Sequence, residues 1–596
     1  MLKSSSRSHR VVAQVSKPAV SPTSSRQGVV SVSVPLRIWK SATRQVWKPA
    51  LQASAVLLGV VILGVMPASA ALAKPTPQQV VWQDYEIGMF VHFAHAAKLE
   101  NVNPGKLNTD QWVSTAEAMG AKYFMFVAKH EDGFCWWQTE TSPYGVKQTP
   151  WRGGQGDVVK ELAESCRRRG MKLGIYLSPG DAVFRAAVHG VCKTPAEQEI
   201  YNKVYRAQLT ELLTRSGEIH EVWFDGSTVA GIGDILQQHA PKAMIFQTPH
   251  ATIRWVGNER GTAPYPAWNS VPKARAKTGI ATAADGRPDG DVWLPNECDT
   301  RTRVGSWFWS PDPKNRLKTL DELISIYYQS VGRGAQLLLN IGPDPAGLIP
   351  DEDVQRMCDF GAEVQRRLGK SAGETSGRGD TVELDLPRPV RIEHIITMEE
   401  ISEGERVREY VVEGFVDDQW KELAKGTAIG HKKIDRFVPV AVSKVRLRIV
   451  KSAAEPLIRR LAAFAAVGEG GKVSGQEAPP VNAAPAKIWE WSARNVGSEW
   501  TTVDLDLTPH CKEACPYQVE FRAAAGGQSL EIQSLNLVYE GTLVPGFVQR
   551  APPGDVPRFF VTITALGKTL GLRAVVRAAS GQKNSQGAMT VGKRSP

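Results

Sequence analysis

The chain has 596 residues, 42% apolar and 22% charged, the balance of a soluble globular protein too long for a single core. Its net charge of +11 is concentrated at one end, because residues 1–73 hold nine Lys and Arg and no Asp or Glu, leaving +2 for the remainder. No nucleic-acid or polyanion partner follows from that distribution.

Residues 1–73 read as an export leader. Arg44 and Lys48 precede the apolar run Ala55–Val65, and the small-residue triplets Ala68-Ser69-Ala70 and Ala71-Leu72-Ala73 suit a signal peptidase. The run is short for a bilayer span, so a periplasmic or secreted protein without a stable membrane anchor is expected.

From about residue 75 to 370, short apolar runs alternate with amphipathic stretches. Strands are expected at Ile87–Phe93, Tyr123–His130, Lys172–Ser178, Glu221–Asp225, Ala243–Gln247 and Ala335–Ile341, and helices at 156–169, 196–215 and 319–331. Near-continuous apolar strands between helices indicate a parallel sheet covered on both faces. Because no glycine-rich nucleotide turn follows the first strand, an α/β fold of the (β/α)8 barrel type fits better than a doubly wound sheet. Beyond residue 370 the period changes to two: Val382, Leu384 and Leu386 alternate with Glu383 and Asp385, and Val445, Leu447 and Ile449 with Arg446 and Arg448. That pattern indicates a β-sandwich over 371–467. A Gly/Ala/Pro-rich linker (468–486), a second β-rich sandwich-type module (487–580) and a disordered tail (581–596) complete the expected organisation.

Seven cysteines include one close pair, Cys511 and Cys515, which invites a local disulfide; Cys135, Cys166, Cys192, Cys298 and Cys358 are scattered and read as buried thiols. No Cys/His group has zinc spacing, and neither a metal nor a cofactor is expected.

Polar residues gather where the barrel strands end: His92 after the first, Lys129-His130-Glu131-Asp132 after the second, Tyr176 and Ser178 on the third, Asp225 on the fourth. Active sites of such barrels lie at this face. Any one of these residues could cap a loop, but four in succession at one end are hard to assign to caps. In Trp223-Phe224-Asp225-Gly226, apolar neighbours leave a carboxylate at the mouth of a buried strand, and Gly226 lets the chain turn away. A carboxylate there can capture a sugar at its anomeric carbon and leave again, dividing one displacement into two. A second carboxyl must protonate the leaving oxygen. Glu259, with Trp255 and Val256 beside it, is one candidate; Arg254 and Arg260 would oppose its protonation if they pointed inward. Glu297 is the rival, and spacing does not choose between them.

Seven motifs now stand in order: Gly88–His92, Lys129–Phe134, Gly174–Pro179, Trp223–Gly226, Arg254–Glu259, Trp293–Asp299, and Ser330–Arg333 with Leu337–Pro343. Through them, residues 82 to about 369 resemble glycoside hydrolase family 29, the retaining α-L-fucosidases. The resemblance implies Asp225 as nucleophile, Glu259 as acid/base, and His92, His130, Tyr176 and Trp223 as contacts to fucose; Glu131, Arg254 and Trp255 complete the expected substrate-binding set. The Arg254-Trp-Val-Gly-Asn-Glu259 stretch is similar to the subgroup preferring α-1,3- and α-1,4-linked fucose. Two departures touch substrate contacts rather than the catalytic pair: Glu131 stands where many members carry a second His, and Gly180 where many of that subgroup carry Trp. Residues 400–407 and 426–430 give the first β-module a likeness to discoidin-like domains, expected to pack on the barrel. The implied protein is an exported retaining α-L-fucosidase acting on fucosylated oligosaccharides or glycoprotein glycans. The alternatives are a non-catalytic fucose-binding derivative and a metal-dependent hydrolase with His92, His130 and Asp225 as ligands.

Overall fold

The computed structural model describes residues 72–466, 486–492, 495–511, 516–524, 530–539, 541–544, 548–550, 558–562, 569–578 and 586–593. The expected leader up to residue 71, the expected linker up to residue 485 and Cys515 of the expected cysteine pair lie outside the described residues.

Eight parallel strands build the first unit: β1 (Ile87–Val91), β2 (Tyr123–Lys129), β3 (Lys172–Leu177), β4 (Ile219–Trp223), β5 (Met244–Phe246), β6 (Arg254–Trp255), β7 (Asn296–Arg301) and β8 (Gln336–Ile341). They pair in the order β5-β4-β3-β2-β1-β8-β7-β6, and a single parallel bridge, Phe246 to Ile253, brings the two edges together. The result is the expected barrel. Its interior is filled by Phe90, Tyr123, Met125, Val127, Tyr176, Trp223, Met244, Phe246 and Leu338, with Trp82 in the same cluster. Gly88 on β1 is required by this filling: a Cβ there would meet the Tyr123 ring at 2.3 Å.

The expected helices form with their ends marked by sequence. The helix Val158–Arg169 is capped by the Asp157 side chain and stopped by Gly170 in the left-handed region. Pro195–Arg215 and Leu320–Gln329 each begin on a Thr–Glu capping box. Two barrel strands escaped the sequence pattern, β6 for its brevity and β7 because Asn296-Glu-Cys-Asp-Thr-Arg301 is polar. Between them the chain makes a long excursion carrying a two-stranded ribbon, Ser270–Val271 against Val292–Trp293.

Residues 373–465 form a six-stranded antiparallel sheet around its own apolar cluster, which includes Ile395, Tyr410, Val445 and Leu461. Its two longest strands, Thr381–Glu399 and Lys433–Ser452, shift register along their pairing, the bulges that let one sheet bend around a core. This module packs on the barrel: Glu405 accepts from Asn269 at 2.9 Å, Tyr265 donates to the Ala428 carbonyl at 2.8 Å, and Lys432 pairs with Glu86 at 2.7 Å. Beyond it, two further antiparallel sheets enclose Trp491, Val519, Phe521 and Leu572. The stretch Gly587–Lys593, expected within a disordered tail, is instead a strand between Ala486–Trp491 and Pro516–Ala523. Its Met589 and Val591 are buried, and this short apolar alternation is what the reading of the tail overlooked.

Candidate active site

The C-terminal ends of the strands surround a cavity of about 320 Å³. Phe90 and His92 reach it from β1, His130 from the end of β2, Tyr176 from β3, Trp223 and Asp225 from β4, Gln247 from β5, Trp255 and Glu259 from β6 and its following turn, and Asp299 from β7; Ile280, Thr282 and Trp307 close its rim.

Asp225 is exposed within this cavity, where Tyr176 donates its hydroxyl to the carboxylate at 3.1 Å. The Tyr176 ring is held between His130 (5.9 Å, 3°) and Trp223 (5.1 Å, 22°), and Trp223 lies flat on Phe246 at 4.0 Å. Gly226 performs the turn expected of it: its φ is +88°, and a Cβ would stand 2.7 Å from the His189 ring. His92 Nδ1 faces Asn340 Oδ1 at 2.7 Å, and the Asn340 amide is fixed by donating to the Trp307 carbonyl at 2.6 Å. That orientation puts the imidazole proton on Nδ1 and leaves Nε2 as the nitrogen available to a ligand. Burial, with His130 alongside, lowers the His92 pKa to about 3, so the ring is neutral.

Glu259 is exposed at the cavity, in the turn after β6, its carbonyl fixed by the Thr300 hydroxyl at 2.8 Å. The cation beside its carboxylate is neither Arg254 nor Arg260 but Arg301, at 3.7 Å. Arg254 corrects an expectation. Its guanidinium turns away from the cavity and donates to the Trp268, Asn269 and Leu294 carbonyls, so it ties the excursion to the barrel and is not positioned to touch a ligand. Glu131 is also outside the cavity lining: its side chain is exposed, and its carbonyl receives the Ala182 N–H at 2.8 Å. Glu297 is fully buried beneath the cavity, where it accepts from Tyr123 and Trp223. It is therefore not placed to reach a leaving oxygen.

The arrangement around His130 depends on a buried ion pair. Lys129 Nζ meets Asp181 at 2.6 Å with both side chains inaccessible, and the Lys129 ammonium lies 5.5 Å from the rings of Tyr201 and Tyr205. Asp181 also accepts the Val183 and Phe184 N–H groups. The pair thus locks the Ser178–Asp181 loop to the end of β2. His92, His130 and Asp225 share the cavity wall, yet among the described residues no group of three or more His, Cys, Asp or Glu is arranged to hold a metal.

Phe90, Gln247, Ile280, Thr282, Asp299 and Trp307 line the cavity without having been anticipated, and three of them bring a polar group or a cation contact. Asp299 accepts the Trp255 indole N–H at 2.6 Å, and burial, reinforced by Glu297, raises its pKa to about 8. Gln247 has a buried Oε1 without a partner in the protein and a backbone in the left-handed region at φ +62°. Trp307, on the loop after β7, stacks near the Arg301 guanidinium. Strand-end position was the available signal for Gln247, and period-two spacing from Glu297 for Asp299.

An alpha-L-fucosidase family model matches residues 97–367. Alpha-L-fucosidase 1 of Arabidopsis thaliana is 33% identical over 66% of this chain and 88% of its own length. A Ruminococcus gnavus GH29 fucosidase solved in complex with fucose superposes with a TM-score of 0.57 at 26% identity, over 66% of this chain and 96% of that one. A glycoside hydrolase 29 member from an unknown rumen bacterium matches 88% of this chain and 100% of its own, with a TM-score of 0.59 and 25% identity. With the barrel, its cavity and these relatives in agreement, the chain belongs to the glycoside hydrolase family 29 alpha-L-fucosidases.

Proposed function

We propose that the protein is an exported retaining α-L-fucosidase that removes terminal, α-1,3- or α-1,4-linked L-fucose from oligosaccharides or glycoprotein glycans. Asp225 attacks the anomeric carbon while Glu259 protonates the departing glycosidic oxygen. Glu259 then takes a proton from water, which attacks the fucosyl–Asp225 ester and releases L-fucose with retained configuration. The observation that carries this reading is that Asp225 and Glu259 line one cavity whose remaining walls are imidazole, phenol and indole groups. Such walls suit a sugar with hydroxyls on one side and an apolar methyl on the other. His92 Nε2, His130 and Gln247 are the hydroxyl partners, and Trp223 and Phe90 the apolar floor. Export rests on the leader composition, and linkage preference on the Arg254–Glu259 motif.

The test compares release of L-fucose from α-1,2-, α-1,3-, α-1,4- and α-1,6-linked oligosaccharides, with the anomer of the nascent product followed by NMR. The α anomer from the 1,3 and 1,4 substrates is expected. Asp225→Ala abolishes turnover of an aryl fucoside, whereas Glu259→Ala impairs natural glycosides far more than aryl ones, whose leaving group needs little protonation. Near-normal turnover by Asp225→Ala ends the assignment.

A further inference from the structure

Beneath the cavity, two carboxyls share the dry interior of the barrel. Glu221 on β4 and Glu297 on β7 are both fully buried and lie within hydrogen-bonding reach of each other. The donors that reach them from the protein are all uncharged. Trp82 Nε1 donates to Glu221 Oε2 at 2.8 Å, Tyr123 Oη to Glu297 Oε1 at 2.7 Å, and Trp223 Nε1 to Glu297 Oε2 at 2.9 Å. Glu221 Oε1 is buried with no donor directed at it. Two adjacent carboxylates without a cation are costly in such a place, and one proton between them resolves both problems. Placed on Glu221 Oε1, the proton makes that oxygen a donor to Glu297. Glu297 is then a carboxylate accepting from three sides, one of them the indole whose face forms the cavity floor.

We infer that Glu297 is a positioning residue of this active site: its carboxylate clamps the Trp223 indole in the floor of the cavity, with Glu221 as the protonated partner that donates to it. The inference rests on the fucosidase reading for its ligand but not for its geometry. A Trp223 ring already fixed between Tyr176 and Phe246 also keeps the Tyr176 hydroxyl on Asp225, so the clamp acts on both the sugar-binding floor and the nucleophile. The other titratable groups near the pair are Tyr123 from β2 and Asp299 from β7 on the inner side, with Cys298 on the outer face of β7. Burial and the neighbouring carboxylate hold the Glu221 proton well above the usual carboxyl range, and burial raises Glu297 to about 7, so the singly protonated pair forms as pH rises through that value. Alkaline pH therefore strips the pair to a dianion and loosens the clamp.

The experiment uses two isosteric variants of the full chain, checked for folding by circular dichroism melting. L-fucose affinity is measured by calorimetry and by the change in tryptophan fluorescence, across pH. Glu221→Gln replaces the acid by an amide that still donates to Glu297 and still accepts from Trp82; it is expected to bind fucose as the wild type does at neutral pH and to lose the alkaline decline. Glu297→Gln offers one amide oxygen to three donors and sets an N–H against one of them. Leaving a buried donor unsatisfied is expected to weaken fucose binding about tenfold or more. Wild-type affinity in Glu297→Gln, or equal losses in both variants, overturns the clamp. Fucose binding by the wild type without release of fucose from any substrate would overturn the activity instead and leave the clamp standing.

Discussion

The Lys129–Asp181 pair offers a prediction with a defined size. Lys129→Met removes the ammonium and leaves the Asp181 carboxylate inaccessible to water, with only the Val183 and Phe184 N–H groups for company. Breaking one side of a buried pair costs roughly 3–5 kcal/mol. Those two backbone donors compensate part of the orphaned charge, so the lower end, about 3 kcal/mol, is expected, a shift of roughly 6 °C in the barrel's melting temperature at about 2 °C per kcal/mol. A second substitution separates charge from shape. Asp181→Asn keeps an oxygen for Val183 and Phe184 and removes the charge, so Lys129→Met/Asp181→Asn recovers most of the loss. The assay is urea unfolding of the three proteins followed by tryptophan fluorescence. KM for an aryl fucoside is measured in parallel, because Ser178 and Ala182 bond the backbone on either side of His130. A single variant losing under about 1 kcal/mol, the range of an exposed pair, would refute the reasoning, as would a double variant no more stable than the single.

Two further outcomes follow from the unanticipated cavity residues. Gln247→Leu removes a buried oxygen that has no partner in the protein; it is expected to weaken fucose binding about three- to tenfold, one neutral hydrogen bond, without destabilising the free protein, and unchanged affinity by calorimetry would deny that contact. Asp299 has a raised folded-state pKa of about 8, caused chiefly by burial, so the native state binds its proton more tightly than the unfolded chain does. Its contribution to stability is fully present below about pH 4, the unfolded value, and is lost as pH rises toward 8. Melting temperatures of wild type and Asp299→Asn, whose amide mimics the neutral acid and can still accept from Trp255, should lie closest near pH 4 and change in relative order as the wild type loses stability toward pH 8; parallel curves would contradict the assignment.

The barrel and the polar strand ends were legible because both are periodic features. Strands of β-branched, aromatic and aliphatic residues, with capped helices between them, name an α/β barrel, and the residue after each run falls at the open end. His92, His130, Tyr176, Trp223 and Asp225 meet in the cavity for that reason, and Trp255 and Glu259, read from their motif, join them from β6 and its following turn. Arg254 and Glu131 do not, because a residue's neighbourhood in a motif says nothing of where its side chain turns. Arg254 precedes Trp255 on the same short strand, and alternation sends the two to opposite sides. Gln247 carried the same strand-end signal at the close of Ala243–Gln247, whereas Trp307 was hidden because it sits on irregular backbone beyond β7, where position is set by tertiary contacts and not by a pattern.

The ambiguity between Glu259 and Glu297 shows how one structural fact decides what spacing could not. Asn296–Arg301 reads as polar loop until its neighbours make it a barrel strand, paired to β8 through Glu297 to Leu337's predecessor Gln336 and through Asp299 to Leu338. Once it is a strand, Glu297 and Asp299 share its inner face, with Cys298 on the outer one. Each residue rises about 3.3 Å along a parallel strand. Two residues span about 6.6 Å along the strand, and with strands tilted about 36° Glu297 therefore lies about 5 Å deeper than Asp299 along the axis that opens at the strands' C-terminal ends. That depth is enough to take a carboxyl from the cavity wall, where Asp299 meets Trp255, to the packed layer below, where Glu297 meets Trp223 from underneath. The carboxyl that competed for the role of acid is thus set one layer too low to touch the substrate, and at the depth from which the floor can be held.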